Sequence, residues 1–251
     1  MTVIASPHNQ RLKALRRLQT KRARSATGLF AAEGEDLVAA AQRAGRPAVE
    51  GFCAAGSGLG GPAFAEVRPQ ALAAVSALGS GTRVIGVYEQ RWQAPAGPLC
   101  VYLHGVADPG NVGTVLRSAG AFGAACVALG PGCADPHSPK AVRASMGAIF
   151  GVRLARVDSP LELPGRRVAL DARAPERLQG PWDPAEGELS LLVGAEREGL
   201  PPEVLEACEE RARIAIEGDS LNAAMAATVA LYEMTRGATL PQNRSSRVPT
   251  S

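Results

Sequence analysis

Glu217-Gly218-Asp219-Ser220-Leu221-Asn222-Ala223 leads into an alanine-rich run that ends near Tyr232-Glu233. A tight polar cluster thus stands directly before a segment that is apolar almost all round, from Ala223 through Met234. Such a helix belongs in a protein interior, packed closely through its alanines. Capping by Asp219 or Ser220 accounts for one polar side chain at its start and leaves Asn222 unexplained. Two earlier segments also set polar residues among glycines beside an apolar run. They are Asp108-Pro109-Gly110-Asn111-Val112-Gly113-Thr114-Val115-Leu116-Arg117 and Val193-Gly194-Ala195-Glu196-Arg197-Glu198-Gly199-Leu200. Three such clusters in one half of the chain point to a single composite site.

The pattern between these clusters is that of an α/β fold. Apolar runs at 99–103, 125–129, 152–157, 167–170 and 189–193 predict buried strands. Helices are expected at about 112–121, 138–147, 202–208 and 221–236. Strands alternating with helices imply a parallel sheet covered on both faces. Upstream, shorter apolar runs at 48–54, 64–67 and 83–88, with helices over 35–44 and 69–78, predict a smaller α/β unit. The stretch Gln90–Pro98, carrying Pro95, Gly97 and Pro98, reads as the linker. The division expected is therefore 1–92, 98–238 and a disordered polar tail at 239–251.

Composition excludes several classes. The 251 residues are 46% hydrophobic and 20% charged, ordinary for a globular protein with a sound core. No run is long and apolar enough for a membrane span, and the N-terminus lacks a signal-peptide core, so a cytoplasmic protein is expected. Five scattered cysteines without a C-x-x-C pair and three distant histidines argue against zinc or any other metal. Gly56-Ser57-Gly58-Leu59-Gly60-Gly61 matches G-x-G-x-x-G formally, but Pro62 follows and no helical pattern begins, so it reads as a loop.

Charge is unevenly spread. Arg11, Lys13, Arg16, Arg17, Lys21, Arg22 and Arg24 give the first 32 residues +7 with no acid, against −4 for the remainder. Leu12, Leu15 and Leu18 recur between them at near-helical spacing, predicting one basic amphipathic helix over 9–24. A basic arm on a mildly acidic body suits a polyanion, and a solvated helix face is the bland alternative.

Asn111 suits a helix N-cap, with Val112, Val115, Leu116 and Ala119 on one face. Helical side chains lean toward the N-terminus, so Arg117 is expected to pass over bare Gly113 toward Asn111 and the positive end of the helix. That would collect a guanidinium, an amide and free N–H groups into an anion site suited to phosphate. A capped surface helix with a solvated arginine fits the same residues. Gly194 and Gly199 follow a strongly apolar strand, where glycine lets backbone approach a flat ligand closely.

In this order, the three clusters resemble the motifs of the SpoU (TrmH-like) RNA ribose 2′-O-methyltransferases of the SPOUT superfamily. The N-x-G-x-x-x-R…F-G motif is carried by Asn111, Gly113, Arg117, Phe122 and Gly123. Gly194, Glu196, Gly199 and Leu200 match G-x-E-x-x-G-(L/M). Ser220, Leu221, Asn222, Ala226, Tyr232 and Glu233 match S-L-N-x-x-x-A…Y-E. The N-terminal half looks like the family's L30e-like substrate-binding domain. Two departures touch the cofactor loop: Ile214-Ala215-Ile216 replaces the usual isoleucine-proline-methionine, and the link from Gly218 to Ser220 is shorter than usual.

The resemblance implies a trefoil-knotted parallel sheet, a homodimer with active sites shared between protomers, and S-adenosylmethionine as cofactor. Cofactor contacts would come from Leu170, Gly194, Gly199, Ile214 and Leu221. Asn111, Arg117, Glu196, Ser220 and Asn222 would be catalytic: Arg117 on the phosphate beside the target ribose, Ser220 and Asn222 orienting the hydroxyl, Glu196 holding Arg117 or Asn111. The seven basic residues at 11–24 would grip RNA backbone. Structured RNA, above all 23S ribosomal RNA, is the expected substrate. Transfer RNA, self-resistance methylation of rRNA, and a non-catalytic RNA-binding role are the alternatives.

Overall fold

The first strand of the chain, β1 (Leu29–Glu33), alternates half-buried and buried residues, as a strand between a core and solvent must. It is preceded by α1 (Gln10–Arg17) and α2 (Lys21–Thr27) and followed by α3 (Glu35–Arg43), β2 (Glu50–Ala54), β3 (Phe64–Val67), α4 (Pro69–Ala73) and β4 (Val84–Glu89). The structure, a computed structural model, describes residues 3–59, 61–78, 81–218 and 221–237. The strands form a mixed sheet in the order β1-β4-β2-β3, with only β2 and β3 parallel. Leu12, Leu15 and Leu18 pack with Phe52, Leu72 and Ile85 to form its core. The G-x-G-x-x-G match falls in the turn between β2 and β3, where Gly56 and Gly58 have positive φ.

The single basic helix expected over 9–24 is two helices. Asn9 caps α1, and Thr20 caps α2 by accepting the Ala23 N–H. The break at Leu18–Thr20 rotates Arg24 inward, so the seven arm residues do not form one exposed row. Arg24 is 3% exposed. Its Nε and Nη2 donate to Asp135 at 2.9 and 2.7 Å, and its Nη1 donates to the Leu18 and Gln19 carbonyls. The guanidinium thus stitches the end of α1 from beneath and is not available to RNA. Arg11 is also engaged, with Glu50 at 2.6 Å and the Phe52 ring. Lys13, Arg16, Arg17, Lys21 and Arg22 are exposed.

The second unit begins at Trp92. It contains β5 (Leu99–Leu103), α5 (Pro109–Ala121) and β6 (Cys126–Leu129). The chain then returns to the first unit at Asp135–Gly151, with α6 (Pro139–Ala144), so the boundary is not a single cut in the sequence. There His137 lies 4.8 Å from Phe30, ring to ring, and Phe150 meets Tyr88 edge-on. Then follow β7 (Arg153–Arg156), β8 (Arg166–Leu170), β9 (Leu189–Val193), α7 (Pro202–Glu206), β10 (Glu210–Ala212) and α8 (Ala223–Thr235). All six strands of this sheet are parallel, in the order β10-β8-β9-β5-β6-β7.

β5 and β9, at the centre, are buried along their whole length, as continuous apolar runs in a parallel sheet require. Tyr102, Leu192, Leu200 and Val204 belong to the core on the α7 side. The three-residue β10 has no counterpart in the sequence reading. One buried residue in three leaves no periodic signal at that edge. Helix α8 is not buried all round: Met225, Val229 and Tyr232 are 58%, 41% and 57% exposed. No helix of the described residues is long and apolar enough to cross a membrane, and no metal-binding cluster occurs among them. The stretch read as a tail, 239–251, lies outside the described residues.

Candidate active site

The carboxyl ends of β8, β9 and β10 open onto a cleft of about 680 Å³. That is where parallel sheets place ligands, because loops diverge there and backbone groups face outward. Leu170, Gly194, Gly199, Ile214 and Leu221 all line it, together with Glu196. All five cofactor candidates therefore share one cavity. The sequence reading passed over its charged rim, which includes Arg173, Arg177, Arg197 and Glu198. Exposed arginines in loops carry no periodic pattern, so only the strand-end rule could have marked them.

The turn after β9 is held closed. The Gly199 N–H donates to the Ala195 carbonyl at 2.9 Å, and Gly199 has φ +69°, a conformation that favours glycine. Gly194 is needed for another reason than the one expected. A Cβ there would overlap the backbone of Gly199 and Leu200, so the space it leaves is filled by the returning turn and not by ligand.

Helix α5 is capped by Asp108, whose Oδ1 accepts the N–H groups of Gly110 and Asn111 at 2.6 and 3.1 Å. Pro109 occupies the first helical position, where its missing N–H costs nothing. Asn111 is therefore not the cap, as the sequence reading had it, and its side chain is free for other contacts. Asn222, conversely, is the cap of α8. Its Oδ1 accepts from the Ala224 and Met225 N–H groups at 2.9 and 3.3 Å.

These caps fix a relay. With its oxygen committed to backbone donors, Asn222 can offer only Nδ2, which donates to Asn111 Oδ1 at 3.2 Å. Asn111 must then turn Nδ2 the other way, and it donates to Glu196 Oε1. Both amide orientations follow from this chain of donors and acceptors. One residue from each of the three clusters is joined in a line, across 111 and 85 residues of sequence. Glu196 carries the line into the cleft.

Arg117 is not brought to this cluster. It is exposed, and among the described residues it makes no hydrogen bond or ion pair. Six positions along a helix place it about 120° around and about 9 Å along from Asn111, too far for the backward lean to close. Glu196 bonds Asn111, not Arg117. Ser220, and with it Asp219, lies outside the described residues.

Residues 98–232 match the model of the SpoU rRNA methylase family, and residues 9–92 that of the MRM3-like substrate binding domain. The chain is 30% identical to the 23S rRNA (guanosine(2553)-2′-O)-methyltransferase RlmP of Bacillus subtilis (strain 168), over 93% of this chain and 99% of that protein. The AdoMet-bound rRNA methyltransferase from Sinorhizobium meliloti superposes with a TM-score of 0.79 at 29% identity, covering 94% of this chain and 97% of that one. The SpoU methyltransferase AviRb from Streptomyces viridochromogenes, in complex with AdoMet, gives a TM-score of 0.79 at 26% identity, with 91% and 98% covered.

Proposed function

We propose that this chain, which belongs to the SpoU rRNA methylase family, methylates the 2′-hydroxyl of a ribose in 23S ribosomal RNA, using S-adenosylmethionine, in the cytoplasm. The observation that carries the reading is the Asn222–Asn111–Glu196 relay ending in the cleft at the strand ends. The residues present suit the cofactor. The cleft falls within the roughly 300–1,000 Å³ of small-molecule sites. Leu170, Val193, Leu200, Ile214 and Leu221 offer apolar walls to a flat base, and polar groups ring the mouth.

When bound, S-adenosylmethionine supplies a methyl group on a positively charged sulfur. The chain must align the ribose, hold the hydroxyl proton and exclude water. Glu196 gives one carboxylate oxygen to Asn111 and has a second left to accept a hydrogen bond at the cleft it lines. Asn222 retains one amide hydrogen to orient the hydroxyl, and Ser220, two positions earlier in sequence, is a further donor or acceptor. Arg117 offers only N–H donors and no acceptor, which makes it an unsuitable base, and it is assigned to the phosphate beside the target ribose.

That assignment requires a second copy of the chain, because Glu196 lines the cleft and Arg117 does not. A homodimer is supported by α8, where Met225, Val229 and Tyr232 recur at helical spacing as an exposed apolar stripe, with Phe122 packed edge-on to Tyr232. The same reading gives the segment after β10 a knotted path behind the 194–200 turn; both stretches contribute to the cleft walls. Residues 1–92 take the role of RNA-binding domain, with Lys13, Arg16, Arg17, Lys21 and Arg22 on the backbone, and 98–238 that of the catalytic domain. Incubating the protein with methyl-labelled S-adenosylmethionine and separated 23S, 16S and transfer RNA tests the reading. Label should enter 23S RNA alone. Label in transfer RNA alone, or none at all, would refute the assignment.

A further inference from the structure

Among the described residues the cleft is lined by arginines that outnumber its acids, Asp171, Glu196 and Glu198, by one, and two of these arginines are uncommitted. Four arginines line it: Arg173, Arg177, Arg197 and Arg213. Arg213 is spent on structure, its Nη1 donating to the carbonyls of Ala174 and Pro175. Arg173 sits 3.3 Å from Asp171. Arg177 and Arg197 are exposed and, among the described residues, have neither a hydrogen bond nor an ion pair.

Both stand on fixed backbone. Arg177 occupies an isolated parallel bridge with Arg213, held by Leu178 N–H to the Arg213 carbonyl at 2.8 Å and Arg213 N–H to the Glu176 carbonyl at 2.9 Å. Arg197 lies inside the turn that the Ala195–Gly199 bridge closes, one residue beyond Glu196. The two guanidinium groups therefore approach the cleft from two separately pinned loops. Little loop ordering remains to oppose binding when an anion is met. Guanidinium is the side-chain group best matched to phosphate oxygens, because its planar fork of N–H donors fits two of them at once.

We propose that Arg177 and Arg197 bind the RNA phosphodiesters on either side of the target nucleotide, one of these phosphates being shared through its second free oxygen with Arg117 of the second copy, and so fix the register of the strand over the cleft. This rests on the methyltransferase reading and extends it to the substrate contacts of the cleft itself. A ribose presented at Glu196 brings a phosphate on each flank, and two uncommitted cations on two walls match that chemistry. The cofactor carries one carboxylate and would leave at least one of them unused. Such contacts position a strand and carry no base information.

The test uses the full chain and transcribed 23S rRNA, with Kd measured by filter binding from about 50 to 300 mM salt, and S-adenosylmethionine Kd measured by calorimetry. Replacing both residues (Arg177→Gln with Arg197→Gln) should weaken RNA binding at least about tenfold and flatten the salt slope by about 1.4, the value for two single-strand phosphate contacts. The paired Arg→Lys replacement should restore most of that slope, since charge and not fold was removed. Cofactor Kd should stay within about twofold. An unchanged RNA salt slope overturns the proposal. So does a loss of cofactor affinity, which would place these arginines on the cofactor carboxylate. If the unaltered protein binds no cofactor and methylates no RNA, the underlying reading fails, and this inference with it.

Discussion

Replacing Arg24 with alanine separates a structural arginine from the exposed basic neighbours proposed to face RNA. The side chain is 4% exposed, and Asp135, its partner, is 10% exposed. Removing the guanidinium takes away two bonds to Asp135 and two to the Leu18 and Gln19 carbonyls. It strands a buried carboxylate, and breaking one half of a buried pair costs about 3–5 kcal/mol. With domain stabilities of about 5–15 kcal/mol, that is a large share of what holds the first unit together. Hydrogen exchange resolved on α2 and on residues 135–151 is the suitable assay, because it reports on this unit alone. Protection there should fall a hundredfold or more, while β5 and β9 keep theirs. Arg17→Ala and Arg22→Ala, both exposed, should shift stability by no more than about 0.5 kcal/mol and weaken RNA binding instead. Asp135→Ala combined with Arg24→Ala should cost less than the sum of the two. Near-normal protection in Arg24→Ala, with weaker RNA binding, would refute the reasoning and return Arg24 to the RNA surface.

Other perturbations have equally definite outcomes. Burial alone would raise the Asp135 pKa, but hydrogen bonds from His137 and Arg24 outweigh it and hold the carboxyl below its usual range. A depressed folded-state pKa gives stability that is present above the unfolded value of about 3.9 and lost as pH falls through the folded one. Acid melts below about pH 4 should therefore show a loss that Asp135→Asn lacks. Asn222→Ala should cost about 1 kcal/mol as a lost cap and at least about a hundredfold in turnover with cofactor Kd little changed; turnover reduced less than threefold would remove Asn222 from the site. Gly194→Ala should lower cofactor affinity at least tenfold in calorimetry, because the turn must open to admit the methyl group. Met225→Lys with Val229→Lys should convert the proposed dimer to monomers by light scattering, and a dimeric mass left unchanged by the pair, or a monomeric mass in the unaltered protein, would refute pairing through α8.

The parallel sheet was legible because β5 and β9 are continuous apolar runs, and buried central strands need little else to be recognised. The edge was not. β10 is three residues with one buried side chain, a pattern no periodicity can distinguish from a loop. Capping was misread in both helices that frame the site, and for one reason. A polar residue near a helix start was credited to the nearest helix end, when Asp108 before Pro109 was the stronger signature and Asn222 stood immediately before the first helical residue. Correcting the two caps produces the relay, since Asn111 is freed for Glu196 and Asn222 is locked with its amide toward Asn111. Arg24 was misplaced because a basic, leucine-spaced run reads as one helix. Only the break at Leu18–Thr20 turns that residue toward Asp135, more than a hundred positions away. Long-range partners of this kind leave no mark in local sequence.

The central claim is that the methyl group goes to a ribose oxygen and not to a base. Alkali cleaves RNA through the free 2′-hydroxyl, so a methylated ribose protects the bond that follows it. After transfer from methyl-labelled S-adenosylmethionine to 23S rRNA and complete alkaline digestion, label should appear in dinucleotides. Label recovered only in mononucleotides would place the methyl on a base and contradict the account.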